Sequence, residues 1–278
     1  MRVIDRFRGA WLGTAIAESN NTQPSHSFLA ILQTQAQQIQ SLRVFDNVES
    51  LQGEDLIPSE VAGISLSLLA TLMLHDSDTA RRQYLKHSSQ PLDSSVVLLL
   101  SELISAQLKN QTIGVFAEPL KSAEAQAIWA SIQGLIEQQL PLQNAVKVLV
   151  DLPDLEEWEI AIALSIYVWS CTPQNFSISV PRSQIGLKYL QQSCSQAIEQ
   201  CQFIPALTGF LTGLTMGVEQ LSIGSLPVDI SRTTQHAEQL FNLWAGINNR
   251  SQSKKGENEP IIMSPGTLKP RPSSPTSS

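Results

Sequence analysis

The chain of 278 residues contains 42% hydrophobic residues, which is enough to bury a substantial core in one folded domain. Charged residues make up only 15%, well below the roughly 25% usual in soluble domains. The net charge of −7 argues against a nucleic-acid partner, because a phosphate backbone binds basic surfaces. The three cysteines form no Cys-x-x-Cys pair, so we expect neither a disulfide framework nor a zinc site, and a reducing cytoplasm fits them best.

The sequence predicts no membrane segment. The N-terminus lacks the basic start, apolar run and cleavage site of a signal peptide. The two most apolar stretches, 61–74 and 203–218, are shorter than about 18 residues and are interrupted by small or polar residues. We therefore interpret both as buried core helices and expect a cytoplasmic protein without a membrane partner.

The chain opens with a pattern typical of a closely packed helix. Phe7 and Trp11 lie one turn apart on one face, and Asp5 is placed to cap the N-terminus. Gly9 and Gly13 leave the adjacent face of this helix without side chains, which allows another helix backbone to approach closely. We expect a bulkier side chain at either glycine to push two helices apart.

Helical periodicity continues through most of the chain. Asp154, followed by Glu157, predicts a capping box at the start of one helix, and the alternating run 176–181 predicts an extended connector. These elements predict an all-α protein, a compact orthogonal multi-helix bundle over residues 1–250. The helices predicted after the first one are 28–42, 59–74, 96–108, 125–136, 142–150, 158–169, 185–200, 209–217 and 233–246.

The composition changes after residue 250. Residues 251–278 are rich in Ser, Pro and Lys, and their five prolines prevent the segment from continuing a helix or filling a core. We predict that 251–278 is a disordered tail. A docking or modification segment at 272–278 is the alternative interpretation of its end.

The helix predicted at 209–217 has glycine at every fourth position. Gly209, Gly213 and Gly217 lie in an apolar stretch with no predicted strand before it, so the pattern does not match a phosphate-binding loop. Close packing of helices explains the three glycines better.

These two glycine-containing helices resemble the ends of the ADP-ribosylglycohydrolase family, of the dinitrogenase-reductase-activating glycohydrolase type. The opening Arg6-Phe-Arg-Gly-Ala-Trp-Leu-Gly-Thr-Ala15 is similar to the family's Arg-x-x-Gly-Ala-x-x-Gly-x-Ala helix. The segment 206–217, followed by Ile223 and Pro227, is similar to the closing helix and its Ile-Pro turn. The resemblance implies the family's helical fold.

The resemblance also implies where a site lies. The family builds a binuclear magnesium centre from carboxylates in three places, and the ions activate a water that attacks the ribosyl carbon. The family has a metal-binding aspartate directly after its first helix, and Glu18 is the nearest acid to that place in this chain. At the start of the long apolar helix the family has two aspartates, and this chain keeps one carboxylate, Glu60. The third place offers only the amides Gln174 and Asn175. Glu18, Glu60 and Asn175 are the candidate binding residues, and we expect weak metal binding or none.

A second acidic run, at residues 75–79, reads His-Asp-Ser-Asp-Thr and looks like a metal cluster. It follows the helix over 59–74 instead of beginning it, which is the wrong place for the family's motif. We interpret Asp76 or Asp78 as the cap of a following helix that includes Ala80.

The remaining residues with chemical potential favour structural roles. The tryptophans lie among Ile and Leu at helical spacing, which favours core packing over a stacking platform for bases. The histidines lack His-x-x-x-His spacing, and we expect all four at the surface: His26, His75, His87 and His236.

The sequence therefore predicts an ADP-ribosylglycohydrolase-like protein that is catalytically degenerate and acts as a binding or interaction module. Its partner is an ADP-ribose-like small molecule or another protein, with no cofactor expected. One alternative is a divergent metal-dependent hydrolase that cleaves an ADP-ribosyl N- or O-glycosidic bond and uses magnesium. The other is a structural or regulatory partner protein that acts through an oligomer interface or its tail.

Overall fold

Every regular element is helical in the part of the chain that the computed structural model describes, which is residues 1–19, 27–42, 59–87, 94–111, 122–194, 201–221 and 230–246. The predicted all-α class is confirmed. The helices are α1 (Val3–Ser19), α2 (Phe28–Leu42), α3 (Ser59–Leu74), α4 (Asp78–His87), α5 (Ser95–Leu108), α6 (Ala123–Glu137), α7 (Leu142–Val150), α8 (Glu157–Cys171), α9 (Phe176–Ser193), α10 (Ile204–Met216) and α11 (Ile230–Trp244). The predicted tail, 251–278, lies outside the described residues.

The centre of the molecule is the pair formed by α1 and α10. α1 also packs against α2 and α11, while α10 packs against α8 and α9. α3 to α7 complete the shell around the large apolar core that these helices share. Four tryptophans are buried as predicted, at positions 11, 129, 158 and 169, and Trp244 is partly buried.

α1 and α10 run antiparallel and meet through their glycines. A Cβ atom added to Gly9 would overlap the carbonyl oxygen of Gly213, and one added to Gly213 would overlap the carbonyl oxygen of Gly9. Gly13 and Gly209 oppose each other in the same way, one turn along the interface. The predicted close approach is confirmed, and the two glycine-stepped helices are each other's partner.

The start of α1 differs from the prediction. The helix begins at Val3, so Asp5 lies inside the first turn and is not the N-cap. Its carboxylate is bound by Arg2, with Nε 3.0 Å from Oδ2, and lies 3.8 Å from Nη1 of Arg8. An acid in the first turn still compensates the positive end of the helix dipole, which explains its place there.

The predicted connector at 176–181 is wrong, because these residues form the first part of α9. The hydroxyl groups of Ser179 and Ser183 face inward, and Thr212 of α10 donates to Ser179 Oγ at 3.1 Å. Pro181 removes one backbone donor, and the carbonyl it would have reached belongs to the exposed residue Ser177. Packing against α10 therefore overrides the alternating pattern. The rest of the predicted helix 185–200 is helical as far as Ser193, and 195–200 lie outside the described residues.

At the starts of α8 and α4, the capping residue is a neighbour of the predicted one. The N-cap of α8 is Glu156, whose backbone N–H donates to Glu159 at 2.8 Å, while Asp154 lies before the helix with a φ of 62°. At α4 the capping hydroxyl is that of Ser77, which accepts from the backbone N–H of Ala80 at 3.3 Å. Spacing alone could not choose between these adjacent polar residues.

None of the helices in the described segments combines the length and the apolarity that a membrane span requires.

Candidate functional site

Glu18 lies at the end of α1 and faces the beginning of α2. Its carboxylate accepts a hydrogen bond from Ser27 Oγ at 2.5 Å and from the backbone N–H of Leu29 at 3.2 Å. Ser27 directly precedes α2, and Leu29 lies in its first turn, where backbone N–H groups have no partner within the helix. Glu18 thus ties the end of α1 to the start of α2.

The ionisation of Glu18 is affected by this position. Burial raises the pKa of Glu18 above its ordinary value of 4.5, and the hydrogen bonds from Ser27, Leu29 and Phe28 oppose the shift only in part. The carboxylate is therefore a partly desolvated anion held at a helix N-terminus.

Glu60 and Asn175 lie at the beginnings of two other helices. Glu60 is in the first turn of α3 and partly exposed, and Asn175 is exposed at the N-cap of α9, where its side chain makes no capping bond. Among the described residues, no hydrogen bond or ion pair joins any two of Glu18, Glu60 and Asn175. The predicted site residues thus occupy three separate helix ends.

These three residues do not fit the binuclear magnesium centre that the resemblance implies. Mg²⁺ requires oxygen ligands in near-octahedral geometry and is held by carboxylates together with water. The three residues supply only two carboxylates and one neutral amide, which carry too little negative charge to offset two divalent ions, and the Glu18 carboxylate is held against the start of α2. Within the described segments, moreover, no three His, Cys, Asp or Glu side chains are grouped as metal ligands.

The acidic run after α3 belongs to an ion-pair network. Arg81 of α4 is fully buried, and its guanidinium donates to Asp78 at 2.8 Å, to Glu102 at 2.7 Å and to Ser105 Oγ at 2.6 Å. Lys109 also donates to Asp78, at 2.8 Å. Burial raises the pKa of Asp78, but the hydrogen bond from Lys109 and the charges of Arg81 and Lys109 outweigh it and leave that pKa below 3.8.

His75 is the first residue of that run and is buried, so the expectation of a surface histidine is wrong here. Its Nδ1 lies 2.7 Å from the carbonyl oxygen of Leu72, and its ring lies 4.9 Å from that of Trp244 between centroids. Burial lowers the pKa of His75, and the nearby charges of Lys109 and Arg81 act in the same direction. His236 of α11 is also buried, and the side chains of His26 and His87 lie outside the described part of the chain.

Arg6 is a second buried cation that the sequence reading missed. Its Nη2 donates to Asn110 Oδ1 at 2.6 Å, while Nε and Nη1 have no partner among the described residues. Burial lowers the pKa of Arg6. Its burial could have been predicted from the sequence. Arg6 lies three residues before Gly9 and seven before Gly13, which places it on the same face of α1 as the glycines that pack against α10.

Replacing Glu18 tests its role at the start of α2. We expect Glu18→Ala to lower the free energy of unfolding by about 1 kcal/mol, because the backbone N–H of Leu29 and the hydroxyl of Ser27 lose their acceptor. Urea unfolding followed by circular dichroism measures this. Glu18→Gln keeps an acceptor oxygen and serves as the matched variant.

The same pair of variants gives a pH dependence. A carboxyl group whose pKa is raised on folding binds more protons in the folded state, so stability falls as the pH rises from 4.5 through the raised value. Glu18→Gln removes that component, and its stability relative to the wild type should increase over this window. A pH-independent difference between the two proteins would contradict the buried, ionisable carboxyl.

The fold places the chain among all-α proteins. Comparisons with known protein families, with curated proteins and with solved structures give no match for it.

Proposed function

We propose that the chain is a catalytically degenerate relative of the ADP-ribosylglycohydrolases that acts as a binding or interaction module. Its ligand is an ADP-ribose-like small molecule or a protein partner. The antiparallel glycine packing of α1 against α10 supports a shared scaffold, since the resemblance rests on these two segments.

The main support for the proposed loss of catalysis is the bonding of Glu18. Glu18 stands near the position where the family has a metal-binding aspartate, and here its carboxylate accepts hydrogen bonds from Ser27 and Leu29. These hydrogen bonds hold the Glu18 carboxylate against the start of α2 and use one acceptor site on each of its oxygens. They favour a structural role for this position over a role as metal ligand.

A hydrolysis assay tests this function. We expect the purified protein, with magnesium present, to release no ADP-ribose from ADP-ribosylated arginine or other ADP-ribosyl substrates. Chromatography of the released nucleotide measures turnover, and calorimetry with ADP-ribose measures binding directly. Robust magnesium-dependent turnover contradicts the proposed loss of catalysis.

A divergent hydrolase that uses Glu18 and Glu60 with one metal ion is the second candidate. Its support is Glu60, which is partly exposed and makes no hydrogen bond or ion pair within the described residues. For this function, Glu60→Ala should abolish turnover and weaken magnesium binding in calorimetry. Glu124→Ala, which removes a glutamate from the first turn of α6, is the matched control and should change neither.

A further inference from the structure

The guanidinium group of Arg6 is a buried cation that lacks a balancing charge. Only 7% of the residue is exposed. Burial alone lowers the pKa of Arg6, so no charged side chain in the described part of the chain acts on the group. Burying a charge is costly unless an opposite charge or several hydrogen bonds compensate it. Arg6 therefore calls for an acceptor that carries negative charge.

Two of the three guanidinium nitrogens of Arg6 have no acceptor. Nη2 donates to Asn110 Oδ1 at 2.6 Å. Nε and Nη1 are buried without a hydrogen-bond partner among the described residues. Because almost all buried polar groups in folded proteins are hydrogen-bonded, orphaned donors of this kind indicate a bound water or ion. The positive charge of the group favours an anion over a water molecule.

The end of α5 compensates the charge of Arg6 only in part. Asn110 follows Lys109, the C-cap of α5, and has a φ of 58°. The C-terminus of a helix carries roughly half a negative charge, which favours a cation beside it. The amide of Asn110 is neutral, however, and the Lys109 ammonium group donates to Asp78. A monovalent anion would bring the surroundings of Arg6 close to neutrality.

One edge of the guanidinium group has the geometry that a carboxylate requires. The N–H of Nε and one N–H of Nη2 point the same way, and the two oxygens of a carboxylate accept from such a pair. Nε has no partner among the described residues, and Nη2 is held by one neutral amide. A carboxylate would replace this single neutral acceptor by two charged ones. A divalent phosphate fits less well, because one guanidinium group offsets one charge.

Asn110 lies where a ligand can reach this edge of Arg6. The residue is exposed, so its side chain can rotate into water without disturbing the core. Its planar amide has the size and shape of a carboxylate, and the space that it leaves beside Nη2 therefore admits a carboxylate group. The rest of Arg6 stays covered, which restricts the ligand to a small molecule.

We propose that Arg6 binds the carboxylate of a small organic acid, which takes the place of the Asn110 side chain. The two oxygens of the acid accept hydrogen bonds from Nε and Nη2, and the Asn110 amide turns to water. The carboxylate and the guanidinium group then form a shielded ion pair beside the end of α5. This binding involves neither Glu18 nor Glu60 and is independent of whether the protein hydrolyses an ADP-ribosyl bond.

Titration of the full chain with acetate tests the site. In NMR spectra of the isotopically labelled protein, we expect acetate to shift the Nε–H signal of Arg6 until the site is saturated. Acetamide has the same size without the charge and should leave the signal in place. Arg6→Lys lacks this N–H and identifies the signal, and sodium chloride keeps the ionic strength constant. A signal that acetate does not shift, or that acetamide shifts equally, overturns the proposal.

Variants of the exposed Asn110 test the displacement without removing the buried cation. Asn110→Gly deletes the competing amide, and glycine adopts a positive φ freely, so the Kd for acetate should fall at least threefold. Asn110→Asp places a carboxylate beside Nη2 and should abolish the shift caused by acetate. Asn144→Asp adds the same charge at an exposed position of α7 and should leave the Kd unchanged. Equal acetate affinity in the wild type and all three variants overturns the proposed displacement.

Discussion

Gly213→Ala should lower the free energy of unfolding by about 3 kcal/mol, although it replaces the smallest residue by the next smallest. The added methyl group would overlap the backbone carbonyl of Gly9, and a backbone atom cannot rotate away as a side chain can. The two central helices must therefore separate, which weakens their contacts along the whole interface. The better helix propensity of alanine offsets only about 1 kcal/mol of this loss.

Gly134→Ala is the matched control for this substitution. Gly134 lies inside α6, and a Cβ atom added there meets nothing within 4 Å. Alanine should therefore stabilise the protein by about 0.5–1 kcal/mol through helix propensity alone. Urea unfolding curves of both variants and the wild type measure the difference, and equal midpoints for the two variants contradict a backbone contact at Gly213.

The helices could be predicted because their signals are local. The bounds of α2, α3 and α7 match the predicted 28–42, 59–74 and 142–150, since apolar periodicity and flanking breakers set them. The first part of α9 could not be predicted, because its helical conformation depends on packing against α10, where Thr212 donates a hydrogen bond to the buried Ser179. The glycines of α1 and α10 predicted close helix packing, but the sequence did not show that these two helices pack against each other.

The candidate site residues were selected by resemblance, at the three places where the family carries its metal-binding carboxylates. The structure places Glu18, Glu60 and Asn175 at three helix ends, and their role as binding residues stays a prediction. Glu18 shows why, because its hydrogen bonds come from Ser27 and Leu29 at the start of α2, nine and eleven residues further along the chain. A one-dimensional pattern gives the position of a carboxylate but not the group to which it is bound.

The network around Arg81 shows the same limit for charges. Asp78 and Arg81 are three residues apart and could be paired from the sequence, whereas Glu102 and Ser105 come from another helix. The network joins α4 to α5, two helices that approach each other at far fewer positions than α1 and α10 do. The hydrogen bonds of Arg81 to Glu102 and Ser105 are therefore a direct connection between α4 and α5.

Arg81→Met is expected to destabilise the protein by about 3–5 kcal/mol, because it leaves the mostly buried carboxylate of Glu102 with a single cation, Arg82. Methionine keeps the apolar stem but not the guanidinium group, so the loss combines the missing charge and hydrogen bonds with the space that the guanidinium fills. Lys86→Met changes an exposed cation of the same helix and should stay within about 0.5 kcal/mol of the wild type.

A double-mutant cycle separates the pairing of Arg81 from its packing. If the loss arises from the unpaired carboxylate, Glu102→Gln should cost less in the Arg81→Met background than in the wild type, with a coupling of about 1–3 kcal/mol. Unfolding free energies of the wild type, both single variants and the double variant give this coupling. Additive losses would show instead that Arg81 stabilises the protein by filling space between α4 and α5, since packing does not depend on the charge of its neighbour.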